Sequence, residues 1–496
     1  MNKKTEKNIN SYDPTKPLIL DFCSNKSVLS PDSNVPWIVS DNKSVVLKPM
    51  ILSDYLKYET YNGEKILNYI IIKRLSGQNS IFLYSNAGVY VETKPEEFKG
   101  YIRKFIPQTL RTRKAVDEIY EDLICENLFV DELKLNSNED IINFQDGIFN
   151  IRTKKLLPHS PKYLSTIQIP ARYSDIAKAP DTAPVFEKYF NTLCNNDEET
   201  KKILLECMGL TISNCYGYRP KKALFLIGEG NSGKSQIKSL IESFLGHSNI
   251  TTVDLKTLNT RFGKMALYNK RLVGCNDMSY ETISDMSVFK QATGGDNISI
   301  EFKNGGFIDY RYKGFMWFNC NKLPSFGGDK GKWVYDRMIP VYCRNVIPEN
   351  ERDPMLLDKM LLEKNSILKK CLNALYYLIN NNFRIDLTPQ MQKDLNDYEI
   401  ENNNFLVFIR DFCVDSRNVN VKTKRSTFNQ CYINWCNKYN GGKGKIGNLT
   451  MRTILKEKFG EEFKISGGIW YMDKIAITPQ IQEELGVYSS DNAYIQ

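Results

Sequence analysis

Eight consecutive residues, Gly228-Glu229-Gly230-Asn231-Ser232-Gly233-Lys234-Ser235, fit G-x-x-x-x-G-K-[ST]. The spacing suits phosphate. Gly228 and Gly233 permit backbone torsions that side chains forbid, so successive N–H groups can turn inward around anionic oxygens. Lys234 can reach the β- and γ-phosphates, the Ser235 hydroxyl can ligate Mg²⁺, and Gln236 follows on the first helical turn. The chemistry is nucleoside triphosphate binding, against which stands only a Gly/Ser-rich surface turn. Two further candidates lie downstream. Asp277 follows the short apolar run Leu272–Cys275, and a carboxylate at a strand tip beside a phosphate loop handles Mg²⁺ and the attacking water. The run Phe315–Phe318 ends in Asn319-Cys320-Asn321, where an amide can hold the γ-phosphate or position water. Arg337 stands alone, and an isolated arginine is usually solvated or paired.

The loop needs elements to hold it. Ala223 to Ile227 read as a buried strand. Ile237, Leu240, Ile241 and Phe244 fall at helical spacing. The glycines therefore sit where a strand hands over to a helix. Farther on, Ile298, Ile300 and Phe302 alternate with polar residues, Asn304-Gly305 is a two-residue turn signal, and a second strand returns from Phe307 to Tyr312. The tip of this hairpin carries a cation and an aromatic, Lys303 and Phe307, beside Asn304. Such tips suit nucleic acid, though ordinary surface hairpins share the composition. Between Arg417 and Lys458 stand ten Lys/Arg and one acid, Glu457, the most lopsided charge in the chain. Ser426–Asn437 and Asn448–Phe459 are helical in pattern, joined by GGKGKIG, and two strands follow around Gly467-Gly468. Helix, basic loop, helix and hairpin make the pattern of a winged helix, with the helix in the major groove and the wing on the backbone. Its DNA-facing cations are Lys422, Lys424, Arg425, Lys443, Lys445 and Arg452; the bland alternative is a solvated basic face.

The totals frame these motifs. A chain of 496 residues allows two to four domains, and a net charge of +9 leans toward a polyanionic partner. Twelve cysteines form no C-x-x-C pair, and the only histidines, His159 and His247, are far apart, which argues against zinc. The cysteines read as reduced, partly buried thiols of a cytoplasmic protein. Residues 1–16 are polar and expected to be disordered, and no apolar run approaches bilayer length, so no membrane is expected. Residues 81–92 read as a hairpin turning at Ser85–Gly88, and residues 95–110 as an amphipathic helix. This N-terminal region holds no histidine and no Asp-x-Asp, which argues against primase chemistry. Residues 184–215 are helical in pattern, interrupted by NNDEET, which can cap the second half.

Taken together, these pieces resemble the superfamily 3 helicases of the phage/plasmid primase-helicase branch. Among them the likeness is to the replication initiator-helicases of staphylococcal pathogenicity islands and cassette chromosomes. Residues 143–345 carry it well and the C-terminal part more loosely. Asp146-Gly147 with Pro158–Tyr173 matches the lead-in segment, Gly228–Ser235 motif A, Arg271–Asp277 motif B and Phe315–Pro324 motif C. Phe289–Asp296, with its Thr-Gly-Gly-Asp run, matches the extra motif between B and C and discriminates best.

The resemblance implies an α/β fold with an AAA+ P-loop core. Around it stand an N-terminal α+β region of unknown role (1–142), a lead-in segment and helical collar (143–215), the helicase domain (216–385), a connector (386–412) and a winged helix (413–496). It implies a homohexameric ring, ATP and Mg²⁺ bound between subunits, one DNA strand in the channel, duplex origin DNA at the C-terminal domain and host replication proteins as partners. Lys234 and Ser235 would hold phosphate and Mg²⁺, Asp277 Mg²⁺ or the water, and Asn321 would sense the γ-phosphate. Arg337 would be the neighbour's arginine finger and Lys303 the main DNA grip. The sequence departs from the family at Asp277, often Glu, and at Asp336-Arg337, often paired arginines. Glu281 and Asp285 stay open as acids assisting Asp277. The expected function is an ATP-dependent DNA helicase and replication initiator of a mobile genetic element. The alternative is an AAA+ ATPase that loads or remodels a partner replication protein.

Overall fold

The computed structural model describes residues 29, 35–41, 44–61, 64–65, 67–72, 79–125, 130–131, 134–214, 217–302, 306–326, 332–419, 421–439, 441–442 and 445–487. The chain divides into two compact units, one of residues 1–324 and 336–387, the other of residues 325–335 and 388–496. The fold is mixed α/β with a parallel sheet.

The first unit is organised on five parallel strands: β1 (Ala223–Ile227), β2 (Ile250–Thr252), β3 (Leu272–Gly274), β4 (Phe315–Cys320) and β5 (Met338–Tyr342). Their spatial order is β2-β3-β4-β1-β5. β1 is buried along its whole length, as a central parallel strand covered on both faces must be. Leu224 pairs with Trp317 of β4 on one side and Ile339 of β5 on the other. β4 runs two residues beyond the expected Phe318 and is buried throughout. Its extension is possible because Asn319, although polar, finds partners inside.

Helix α1 (Glu198–Ile212) precedes the sheet, α2 (Lys234–Leu245) follows β1, and α3 (Ser287–Gly294) leads into the hairpin Asn297–Phe302/Gly306–Arg311. Asp197 caps α1 by accepting the Glu199 and Thr200 amides, the role expected for the acidic NNDEET segment. The Asp146 carboxylate accepts the Tyr173 and Ser174 amides and so ties the turn at 145–146 to the following helix. Upstream, Ser80–Tyr84 and Tyr90–Thr93 form the expected antiparallel hairpin. The helix from Pro95 stops at Arg103, short of residue 110, because Pro107 cannot continue it.

The second unit holds α4 (Pro389–Asn402), α5 (Asn404–Phe412), α6 (Arg425–Tyr439), α7 (Asn448–Phe459) and the antiparallel pair Lys464–Ser466/Ile469–Tyr471. Phe405, Phe408, Phe428, Tyr432 and Trp435 pack at its centre. The Glu461 carboxylate is buried and accepts the amides of Lys474 and Ile475, which fixes the strand leaving the hairpin.

Candidate nucleotide site and nucleic-acid hairpin

The glycine loop leaves the C-terminal end of β1, between β4 and β5. The connection from β1 leads toward β2 on one side, and the step from β4 to β5 passes to the other, so the loop opens at a topological switch point. Gly233 has φ +89°, in the left-handed region, and is the residue before α2. Gly228 is required for a different reason than torsion: a Cβ there would lie 2.4 Å from the Cys343 carbonyl oxygen, at the exit of β5. Asn231, also at positive φ (63°), makes the second sharp turn, and its carbonyl accepts the Ile347 amide.

Lys234 is buried and turns its ammonium back into the loop. It donates to the Gly228 carbonyl at 2.6 Å, the Glu229 carbonyl at 2.8 Å and the Ser232 hydroxyl at 3.1 Å. These acceptors are neutral, and a phosphate oxygen is a stronger one. Glu229, Gly230, Asn231 and Ser235 are exposed on the loop and first helical turn, while Ser232 is buried and Gln236 half-buried. The N-terminus of α2 points its unpaired amides and positive dipole end the same way. Tyr189 braces the loop from the helix Pro184–Leu193, donating its hydroxyl to the Gly233 carbonyl at 2.8 Å.

Asp277 stands exposed just after β3. The chain there still runs beside β4, since the Met278 amide donates to the Asn319 carbonyl at 2.9 Å. The carboxylate therefore lies at the same sheet edge as the loop. The two other acids are engaged nearby. Glu281 pairs with Lys256, and Asp285 accepts the Ser287 amide at 2.7 Å at the start of α3. Asn321 is exposed one residue past the end of β4. Asn319, two residues earlier, is fully buried. Its amide nitrogen donates to the Lys234 carbonyl at 3.1 Å and lies 3.4 Å from Oδ1 of Asn276, and its own Oδ1 accepts the Trp317 indole N–H at 3.0 Å. The sequence marks both asparagines. In a strand buried on both faces, alternation cannot tell which turns inward. Buried cysteines surround this floor, and burial pushes the Cys275, Cys320 and Cys343 thiols up to about 12, so they stay protonated.

Arg337 sits at the other edge. It precedes β5, and its carbonyl accepts the Ala223 amide at the start of β1. Its guanidinium is half-buried and donates to the Thr293 hydroxyl at 3.2 Å. Burial pulls this guanidinium below its ordinary value, and Asp296 and Asp336 push it back.

The expected hairpin forms, with Glu301 opposite Phe307. Ile298, Ile300 and Ile308 face inward, and Phe307 is half exposed. Lys303 and Asn304 lie outside the described residues, as does Lys443. In the second unit Lys422, Lys445 and Arg452 are exposed, and Lys424 and Arg425 half-buried. Arg425 and Arg452 both lie over the Phe463 ring, at 4.9 and 5.8 Å. The outward side of α7 carries Leu449, Arg452, Thr453 and Lys456 at helical spacing. Trp470, paired with Ile465 on the hairpin, is 45% exposed. Among the described residues no three His, Cys, Asp or Glu side chains cluster, and no helix is long and apolar enough to cross a membrane.

Comparison with known proteins bears on both halves of the first unit. Residues 226–337, from β1 through Arg337, match a family of unknown function, DUF5906, and residues 76–195 match the family described as D5 N terminal like. A putative helicase, 184R of Invertebrate iridescent virus 6, is 23% identical over 270 residues, which are 51% of this chain. The chain covers 27% of that relative's length. Two solved structures of the NrS-1 C-terminal region are similar to it. An apo A form has a TM-score of 0.48 at 10% identity, covering 83% of this chain and 97% of that one. Another apo form, of residues 305–718, has a TM-score of 0.43 at 12% identity, covering 83% and 96%. The chain is thus similar over part of its length to a protein named a helicase.

Proposed function

We propose that this protein is an ATP-driven DNA helicase that initiates replication of a mobile genetic element, acting as a hexameric ring and binding its origin through the second unit. One observation carries the reading. Lys234, Ser235, Asp277 and Asn321 come from three separate stretches of sequence and converge on the C-terminal edge of one parallel sheet, at its switch point.

The residues fit a nucleoside triphosphate with Mg²⁺. The exposed loop backbone and the N-terminus of α2 supply amides, Lys234 the cation, and Ser235 and Asp277 the hard oxygen ligands that Mg²⁺ takes alongside substrate phosphates. Bound Mg²⁺ would neutralise charge on the β- and γ-phosphates. The protein's own part is positioning. Lys234 leaves its carbonyl acceptors for phosphate oxygens, Asn321 contacts the γ-phosphate, and Asp277 holds the metal or orients water. Arg337 is at the far edge of the sheet, so the ATP it serves belongs to a neighbouring subunit. An arginine supplied in trans makes hydrolysis depend on subunit contact. The hairpin, with Lys303, Asn304 and Phe307, would grip one strand in the channel. α7 and the basic segment would read duplex DNA, phosphates through Lys422, Lys424, Arg425, Lys443 and Lys445, and base edges through Arg452.

Strand displacement on forked DNA tests this. Wild type is expected to separate strands with ATP and Mg²⁺. Lys234→Ala should lose hydrolysis and unwinding by at least about 100-fold while retaining duplex binding. ATP hydrolysis by wild type without any strand displacement would instead favour a loader or remodeller of a partner protein.

A further inference from the structure

The Thr293-Gly294-Gly295-Asp296 run is the turn between α3 and the hairpin. Asp296 is the last residue before the hairpin's first strand. Thr293 is 3% exposed; its hydroxyl donates to the Phe289 carbonyl at 2.6 Å, with the Lys290 carbonyl farther off at 3.4 Å, and accepts from Nη1 of Arg337 at 3.2 Å. Its proton is thereby directed into the helix, which leaves the oxygen lone pairs for the guanidinium. A Cβ built on Gly294 would lie 3.2 Å from Oδ2 of Asp296 and 3.7 Å from Nη1 of Arg337, so carboxylate and guanidinium flank the same glycine. The backbone around Arg337 is pinned independently. Lys222 donates its ammonium to the Asp336 carbonyl at 2.6 Å, and the Ala223 amide donates to the Arg337 carbonyl at 2.8 Å. One end of the arginine is therefore fixed to the sheet and the other to the root of the hairpin.

We propose that Thr293, Gly294 and Asp296 form a seat for the Arg337 guanidinium, and that the seat couples the hairpin to the ATP of the neighbouring subunit. The inference rests on the reading of Arg337 as an arginine acting in trans. Thr293 and Asp296 are positioning residues: they touch neither nucleotide nor DNA, and they set where the guanidinium points. Because Asp296 directly precedes the hairpin's first strand at Asn297, a displacement of the hairpin by DNA would be passed to the seat. DNA in the channel would thereby tune hydrolysis next door.

The test uses the full chain and measures ATP hydrolysis with and without single-stranded DNA. Thr293→Val keeps the shape and removes the acceptor. It is expected to lower turnover about 10- to 100-fold with KM for ATP within about 2-fold, and to bring the stimulation by DNA close to 1. Thr293→Ser should restore both. Asp296→Asn, at an exposed position that leaves the fold intact, should cut the stimulation about 3-fold. Mixing supplies a readout that a mere packing defect would not move. Lys234→Ala subunits present an intact seat and arginine to the intact loops of Thr293→Val subunits, so the mixture should recover activity that neither variant has alone. Complementation of Lys234→Ala by Arg337→Ala but not by Thr293→Val overturns the seat alone. No complementation by Arg337→Ala overturns the in-trans arginine and the seat's role with it. Unchanged DNA stimulation in both Thr293→Val and Asp296→Asn likewise overturns the coupling.

Discussion

At the C-terminal edge of the five-stranded sheet, backbone geometry shapes the glycine loop and leaves Ser235, Asp277 and Asn321 exposed. At the N-terminal edge the Arg337 guanidinium is held by a side chain. Gly233, Asn231 and the start of α2 shape the first edge through torsion angles and amides. Thr293, beside Gly294 and Asp296, shapes the second through one buried hydroxyl and a neighbouring charge. β1 is five residues long at about 3.3 Å per residue, so the edges are roughly 15 Å apart. An arginine side chain cannot span that distance to its own chain's loop. Under the proposed function the two edges would divide the roles: the first would bind nucleotide and the second would reach into a neighbour.

The largest effect that would break this comparison falls on the first edge. Asp277→Asn keeps the size of the side chain and removes an exposed carboxylate that, unlike Glu281 and Asp285, pairs with no cation and accepts no amide at a helix start among the described residues. Hydrolysis should fall about 100-fold, with ATP binding retained when followed by nucleotide fluorescence. If Glu281→Gln or Asp285→Asn does the same and Asp277→Asn does not, the carboxylate has been placed wrongly. Their present partners, Lys256 and the Ser287 amide, argue that they cannot be spared.

A smaller effect separates holding from reacting. Asn319 is buried and bonds the Lys234 carbonyl, Asn276 and the Trp317 indole. Asn319→Ala should leave these groups unpaired in a dry interior, costing about 1–3 kcal/mol of stability in denaturant melts. Because it grips the first residue of α2, it should also weaken ATP binding about tenfold while changing turnover at saturation far less. A loss confined to saturated turnover would instead make Asn319 the γ-phosphate sensor and demote Asn321.

The pair Asn319/Asn321 also marks how far the sequence could be read. The glycine loop, its strand and helix, the hairpin at 297–311 and the helices of the second unit all declare themselves through local signals: glycine spacing, alternation, a helical stripe, a turn dipeptide. The seat of Arg337 has no local signal, since Thr293 and Arg337 are 44 residues apart and meet only because β5 lies beside β1. Asp277 was legible by type and distance, but the engagement of Glu281 and Asp285 that singles it out needed the fold. The reason for Gly228 was also hidden, because it depends on the Cys343 carbonyl, more than a hundred residues on.

The smallest expected effect on either edge comes from Glu206, and it serves as their control. Glu206 lies in α1, 2% exposed, in a cavity of about 280 Å³ it shares with Lys202, Arg384 and Asp386. Burial raises its carboxyl to about 7; Lys202 opposes that rise and Asp386 adds to it. A carboxyl raised in the folded state binds its proton more tightly there than in the unfolded chain. It therefore favours folding at low pH, and that contribution is lost as pH climbs from about 4.5 through 7. Glu206→Gln stays neutral throughout. It should raise stability by up to about 3 kcal/mol at pH 8 and by under about 1 kcal/mol at pH 5, read as the difference between melts at the two pH values. Turnover, DNA stimulation and mixing behaviour should not move. If they did, α1 would be transmitting strain to the loop, and the two edges could no longer be treated as separately built.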